Sequence, residues 1–315
     1  MANPDKIYQY GGDPTINLGN ATLDPLRLPV FEESGLEASV LRLDKIHPEI
    51  SGNKWFKLKY YLEAGRLQKK KRLISFGGPY SNHIIALACA AHAHGFSSTG
   101  FIRGETPAVL PASLFTAMKY GMDFQFLPRE TYLQKEDSGF LSSLQSKYPE
   151  ALIIPEGGCG EPGFRGAGEI LSMAGLSAYS HICCAVGTGT TLTGLLRACK
   201  PQQKVVGISV LKGTHGIEPL RTSWINDPAD TNKLQLFHDY HFGGYAKKTT
   251  ALLDFMNGIY EQSGIPTDFV YTGKLFYAIT DLTRKNYFPA GSRILIVHSG
   301  GLLGNLSLPE GQLQF

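Results

Sequence analysis

The chain has 315 residues, 43% hydrophobic and 18% charged, a balance that excludes a disordered protein and is enough for two lobes with filled cores. Lys and Arg number 30 against 27 Asp and Glu, and a net charge of +3 is too small to mark a nucleic-acid partner. No apolar run reaches membrane-spanning length, and residues 1–20 lack the basic start and apolar centre of an export signal, so a cytoplasmic protein is expected.

In chain order, residues 40–43 read as a strand. Ser51-Gly52-Asn53-Lys54 then precedes Trp55-Phe56-Lys57-Leu58-Lys59-Tyr60-Tyr61-Leu62, whose apolar residues recur at helical spacing. Lys54 thus falls in the first turn of a helix, where the dipole does not favour an ammonium. A lysine there loses its proton more readily and becomes a nucleophile toward a carbonyl, although a lone lysine is by default a solvated one. The basic run Lys69-Lys70-Lys71-Arg72 closes this helix and reads as a solvated face. A strand at 73–76 leads through Gly77-Gly78-Pro79-Tyr80-Ser81-Asn82-His83 into an alanine-rich helix over about 84–94. Ser81 and Asn82 stand at capping positions. Beyond capping, Ser81 and the helix start suit a carboxylate, and Asn82 suits a phenolic oxygen.

Strands at 99–102, 124–127 and 152–154 follow, with amphipathic segments between most of them. The Gly/Pro-rich stretch over 155–163 is the best candidate for a lobe boundary. A strand at 181–186 then runs into Gly187-Thr188-Gly189-Thr190-Thr191, and a helix begins near Leu192. Glycines let the backbone approach an anion, threonines add hydroxyl donors, and the helix start completes a cup for a phosphate. The plainer reading is a capped strand-to-helix turn. Without the lysine of G-x-x-x-x-G-K-[ST], the loop suits a single phosphate on a cofactor. Strands at 205–210 and 294–297 complete an alternation that indicates an α/β fold of parallel sheets covered by helices. Cys89, Cys159, Cys183, Cys184 and Cys199 form no C-x-x-C pair, which suits a reducing compartment. His92 with His94, and His238 with His241, lack the spacing or carboxylate support of a metal site, and no metal is expected.

The G-N-K lysine, the S-N-H turn and the Gly-Thr loop, in this order, resemble the fold type II (tryptophan synthase β-like) pyridoxal-phosphate enzymes. Within them the likeness is to the D-cysteine desulfhydrase and 1-aminocyclopropane-1-carboxylate (ACC) deaminase family. Gly243-Gly244-Tyr245 is similar to its G-x-G-Y segment, and Val270-Tyr271-Thr272-Gly273-Lys274 to its V-Y-[ET]-G-K segment. The resemblance runs from about Leu23-Asp24-Pro25-Leu26 to His298-Ser299-Gly300-Gly301, nearly the whole chain.

The resemblance implies a two-lobed homodimer, with a small lobe at about residues 54–163 set into a large cofactor-binding lobe of residues 1–53 and 164–315. Lys54 would hold pyridoxal phosphate and act as the base, with Lys57 near the phosphate. Gly187, Thr188, Gly189, Thr190 and Thr191 would bind that phosphate, Asn82 the phenolic oxygen, and Ser81 the carboxylate of a small amino-acid substrate. Tyr245 and Tyr271 would flank the substrate. Thr272 and Ser299 would face the pyridine nitrogen, where the ACC deaminases carry glutamate and leucine. A neutral hydroxyl supports ring protonation less than a carboxylate does, which suits β-elimination from D-cysteine or a related amino acid over cyclopropane opening. ACC deamination is the alternative, and an idle cofactor- or phosphate-binding protein a third reading. Ile84-Ile85 and Trp55-Phe56-Lys57 stand where the family commonly has an arginine and an arginine–lysine pair, which changes charge and bulk near the cofactor and leaves the substrate open.

Overall fold

A computed structural model describes residues 16–173, 175–213, 224 and 232–315; the N-terminal stretch read as free of an export signal lies outside them through residue 15. Its strands are β1 (Thr22–Pro25), β2 (Glu37–Arg42), β3 (Arg72–Gly77), β4 (Ser97–Arg103), β5 (Met122–Leu127), β6 (Ala151–Ile154), β7 (His181–Val186), β8 (Lys204–Ser209), β9 (Leu234–Phe237) and β10 (Arg293–His298). They form a six-stranded sheet in the order β1-β2-β10-β7-β8-β9 and a four-stranded sheet in the order β5-β4-β3-β6. The pairs are parallel except β1 with β2. The expected α/β architecture is therefore the one the chain adopts.

Both strands absent from the sequence reading, β1 and β9, are four-residue edge strands. Pro25 can close β1 because an edge strand has one side on which no N–H is needed. By contrast β3, β7 and β10 are buried along nearly their whole length, which is why each reads as a continuous apolar run. Predicted residue 43 belongs instead to the 3-10 turn Leu43–Lys45, and Val210 lies just past β8, its N–H donating to the Val186 carbonyl at 3.0 Å.

Helices cover the sheets: α1 (Pro29–Glu33), α2 (Asn53–Leu67), α3 (Asn82–Ala93), α4 (Ala112–Lys119), α5 (Arg129–Leu133), α6 (Ser138–Lys147), α7 (Glu161–Gly168), α8 (Thr190–Ala198), α9 (Thr250–Ser263) and α10 (Thr272–Arg284). Helix α3 is buried from His83 to Ala91, so its alanine-rich composition reflects a central rather than a surface position. Arg72 is half-buried and donates to Thr99 Oγ1 at 2.6 Å and Asp123 Oδ2 at 3.1 Å, so the basic run is not solvated to its end. Cys89, Cys183, Cys184 and Cys199 are buried thiols, and Cys159 is half-buried. No helix among the described residues is long and apolar enough to cross a membrane.

The packing of α7 on α2 rests on a backbone contact. A methyl group built on Gly166 would lie 1.7 Å from the Phe56 carbonyl oxygen, so only glycine lets the two helices meet there. Gly166→Ala is expected to cost about 1–3 kcal/mol or more through the forced separation. Gly258→Ala in α9, where the new methyl would meet nothing nearer than Gln262 Nε2 at 3.9 Å, should add about 0.5–1 kcal/mol of stability. Urea unfolding of the two variants checks both signs.

Candidate active site

A cavity of about 1170 Å³ opens at the carboxyl ends of the central strands of both sheets. Gly78 and Ser81 line it from the turn after β3, Pro155, Glu156 and Gly157 from the turn after β6, Gly187, Thr188 and Gly189 from the loop after β7, and Ser299 from the end of β10. Within the four-stranded sheet β3 lies between β4 and β6, so the loops after β3 and β6 diverge and leave the crevice in which α/β sheets bind ligands. The starts of α2, α3, α8 and α10 meet the same cavity through Asn53 and Lys54, Ser81 and Asn82, Thr191, and Tyr271. The N-termini of α2, α3 and α8 favour an anion there, whereas the N–H groups that start α10 are taken by the Asp268 carboxylate.

Gly52 positions Lys54. Its φ of 67° belongs to the left-handed region, and a methyl group on it would lie 1.9 Å from the Ser299 carbonyl oxygen. The first turn of α2 is thereby pressed against the end of β10, with Asn53 N–H donating to Ser299 O at 3.3 Å. Lys54 lines the cavity, donates to Asn53 Oδ1 at 2.7 Å and lies 5.9 Å from the centre of the Tyr271 ring. Burial pulls its ammonium down to about 8 against the opposing pull of Asp268. One turn later Lys57 is buried on the same wall with no ion pair or hydrogen bond among the described residues. Burial and then the charge of Lys54 take it down to about 7.

Asn53 ties α2 to the Gly-Thr loop, its Nδ2 donating to Thr191 Oγ1 at 2.7 Å. Gly187, Thr188, Gly189 and Thr191 are on the cavity wall. Thr190 is not; it is fully buried, with its hydroxyl 2.9 Å from Thr188 Oγ1 and 3.4 Å from the Gly157 carbonyl oxygen. Ser81 caps α3, its Oγ accepting from Ile84 N–H at 3.4 Å, and both Ser81 and Asn82 face the cavity. Next to them His83 is buried, with Nε2 2.8 Å from Ser75 Oγ and Nδ1 without a partner among the described residues. Burial, with Lys57 and Lys54 nearby, pushes it down to about 3, so its imidazole is neutral.

Tyr245 and Tyr271 face the cavity with ring centres 6.1 Å apart, edge to face at 72°. Burial raises the pKa of both phenols, so both are protonated at neutral pH. Asp268 shapes this corner. Its carboxylate accepts from the N–H groups of Val270, Tyr271 and Thr272 at 2.8–2.9 Å and from Thr272 Oγ1 at 2.7 Å. Thr272 is consequently fully buried behind the wall, its hydroxyl committed to Asp268 rather than to the cavity.

The structure thus brings together Lys54, Lys57, Ser81, Asn82, Gly187, Thr188, Gly189, Thr191, Tyr245, Tyr271 and Ser299, and sets Thr190 and Thr272 behind them. Sequence reasoning missed Asn53, His83 and Asp268 as parts of the site. It also took the 155–163 stretch for a boundary alone, whereas Pro155, Glu156, Gly157, Cys159 and Gly160 form wall. An acidic residue a few positions before a helix start was the available signal for Asp268. Among the described residues the ligand atoms of His47, Glu49 and Cys89 lie within 4.8 Å of one another, the spacing of a metal-ligand cluster. His47 Nδ1 already accepts from the N–H groups of Glu49 and Ile50 at 3.1 and 3.0 Å, so this nitrogen is committed to the backbone.

The profile of the pyridoxal-phosphate-dependent enzymes matches residues 18–300. A Pyrococcus abyssi protein provisionally named 1-aminocyclopropane-1-carboxylate deaminase is 27% identical over 93% of this chain and 94% of its own length. The Arabidopsis thaliana bifunctional D-cysteine desulfhydrase/1-aminocyclopropane-1-carboxylate deaminase, mitochondrial, is 26% identical over 86% of this chain and 74% of its own. A crystal structure of an ACC deaminase homologue superposes with a TM-score of 0.74 at 27% identity, covering 92% of this chain and 91% of that one.

Lys57 generates a prediction about stability. Below about pH 7 both folded and unfolded Lys57 carry the proton, and the cost of burying the charge is present in full. Between about 7 and the ordinary 10.5 the unfolded lysine holds more proton than the folded one, so stability rises with pH. With cofactor and multivalent anions removed, Lys57→Met should melt above the parent at pH 7, and the gap should narrow by pH 9. Inorganic phosphate should raise the melting temperature of the parent more than that of the variant. A variant that melts lower at pH 7 and responds equally to phosphate contradicts the assignment of an uncompensated buried cation.

Proposed function

The chain belongs to the family of pyridoxal-phosphate-dependent enzymes, and on that premise we propose that it is a lyase acting on a small amino acid, releasing sulfide, ammonia and a keto acid from D-cysteine or a close relative. Three features support the fit of the cofactor. Lys57 is a buried cation in need of an anion, the starts of α2, α3 and α8 meet the same space, and Lys54 offers an amine with a lowered pKa. In this reading Lys54 holds the cofactor. Gly187, Thr188, Gly189 and Thr191, with Lys57 close by and the Thr190 hydroxyl bracing Thr188 from behind, would hold its phosphate, and Asn82 would take its phenolic oxygen. When bound, pyridoxal phosphate supplies an aldehyde for a primary amine and a conjugated ring that accepts the electron pair left at the α-carbon.

The residues of the chain then divide the work. Ser81 and the start of α3 hold the substrate carboxylate, which fixes the α-carbon toward Lys54. Lys54 Nζ is placed to take the α-proton; its lowered pKa suits a base working near neutral pH. The C–S bond breaks with its electron pair remaining on sulfur, which leaves as sulfide. Tyr245 or Tyr271, protonated and facing the cavity, is placed to supply the leaving sulfur with a proton. Water converts the remaining unsaturated amino acid to keto acid and ammonia. The reading carries a small lobe at about 54–163 within the large lobe, a homodimer, and a cytoplasmic setting.

Ser299 is the observation that carries the choice of reaction. It lies on the wall, 5% exposed, where the resemblance sets the ring nitrogen, and it brings a neutral hydroxyl. The other residue at that position by resemblance, Thr272, turns its hydroxyl to Asp268, so neither supplies a carboxylate. Departure of a good leaving group demands less of the ring than opening a cyclopropane does. The name of the Pyrococcus abyssi relative favours the second reading, ACC deamination, while that of the Arabidopsis relative carries both activities.

Keto acid release from D- and L-cysteine, chloroalanines and ACC tests the two. D-cysteine should give sulfide and keto acid together, ACC should turn over at least about tenfold more slowly, and Lys54→Ala should lower D-cysteine turnover by about 10³-fold or more. ACC turnover equal to that of the best thiol substrate contradicts the choice.

A further inference from the structure

Tyr245 stands in a segment whose backbone does not hold its shape through ordinary conformations. Phe242 and Ala246 adopt φ of 50° and 52°, and Gly243 and Gly244 φ of 93° and 122°. Two of these four are side-chain-bearing residues in the left-handed region, which L-residues disfavour. The internal bonds are local: Gly244 N–H to His241 O at 3.0 Å, Gly243 N–H to His241 Nδ1 at 2.9 Å, and Lys247 N–H to Gly244 O at 3.1 Å. None of them fixes the segment to the rest of the site.

That attachment comes from α10. Lys274 is fully buried, and its ammonium donates to the carbonyl oxygens of His241 at 2.9 Å and Gly244 at 2.8 Å, the second belonging to the residue just before Tyr245. Among the described residues it forms no ion pair. Lys274 is also three residues past Tyr271, on the same first turn. One helix start therefore presents Tyr271 to the cavity and grips the backbone that presents Tyr245. Phe242 adds an apolar anchor, its ring 4.9 Å from that of Tyr277 on α10.

We propose that Lys274 is a positioning residue, whose ammonium clamps the 241–245 segment and so sets Tyr245 against Tyr271 over the reacting atoms. The inference rests on the reading of Tyr245 as a substrate-facing tyrosine. A buried cation held by two carbonyls and no carboxylate is a costly way to secure a surface loop. It is an effective way to fix a tyrosine that is itself 36% exposed at the cavity mouth. Burial lowers Lys274 to about 8 against the pull of Asp268, so at neutral pH most of it keeps all three donors.

The test uses full-length protein carrying 3-fluorotyrosine, with and without added pyridoxal phosphate, and Tyr245→Phe to identify the Tyr245 resonance among the 15 tyrosines. Lys274→Met should move the Tyr245 fluorine resonance toward that of a free tyrosine while leaving the Tyr148 resonance in place. In the amino-acid assay it should lower kcat about a hundredfold with KM within about threefold, as expected when a group is misplaced and binding is kept. Lys274→Arg, which keeps charge and donors, should restore both readouts in large part. A methionine variant with an unmoved Tyr245 resonance overturns the proposal, as does one with a moved resonance and undiminished kcat. If the methionine variant does not fold, the arginine variant decides: Tyr245 in place supports the clamp, and Tyr245 displaced overturns it. An unmodified protein that releases keto acid from no amino acid defeats the functional reading separately, and the fluorine resonance then decides the clamp by itself.

Discussion

Two glycines lock the start of α2 to the end of β10, and the site depends on that contact. A side chain on Gly52 would collide with the Ser299 carbonyl, and one on Gly300 would lie 2.3 Å from Ser51 Oγ. The turns at 51–54 and 299–301 therefore nest backbone against backbone, a separation that no other residue pair allows. Lys54 inherits its place from this nesting, because it is the second residue of the helix that the contact orients. Asn53, between them, spends its amide on Thr191 and its carbonyl oxygen on Lys54, so the anion loop and the amine are held by one side chain. A change at Gly52 would thus displace three features at once.

The electrostatics of the cavity follow from where the helices begin. The N-terminal ends of α2, α3 and α8, buried Lys57, half-buried Lys54 and a neutral buried histidine surround a space that lacks a balancing carboxylate at Lys57. Such an arrangement is less stable empty than filled by an anion. Asp268 provides the local counterweight, and it does so while its oxygens are occupied by the N–H groups that start α10. The same carboxylate therefore shapes the Tyr271 turn and moderates Lys54. This is the trade between stability and function that binding sites commonly show.

How much of this was legible in the sequence depends on how locally each feature is written. Strands such as 181–186 and 294–297 are buried on both faces and leave continuous apolar runs, while β1 and β9, short and on the edges, leave no such trace. The G-N-K, S-N-H and Gly-Thr segments were readable because their glycines and caps act within a few residues. Which face each side chain takes was not. Successive helical residues are turned by about 100°, and here Thr191 and Tyr271 reach the cavity wall while Thr190 and Thr272 do not, although Asn53 and Lys54 both do; the motif does not specify the choice. Asp268 caps N–H groups two to four residues on and so left a local signal, whereas Lys274 acts on backbone groups brought close by the fold, and His83 matters through Ser75 and the lysines around it. Nothing in the immediate neighbours of Lys274 or His83 announces that.

Lys54 as the residue that holds the cofactor is the central claim, and attachment chemistry tests it most directly. Protein loaded with pyridoxal phosphate, reduced with borohydride and digested should yield one cofactor-bearing peptide, with the label on Lys54. Label found instead on Lys57, Lys274 or a surface lysine of the 69–71 run would contradict the account.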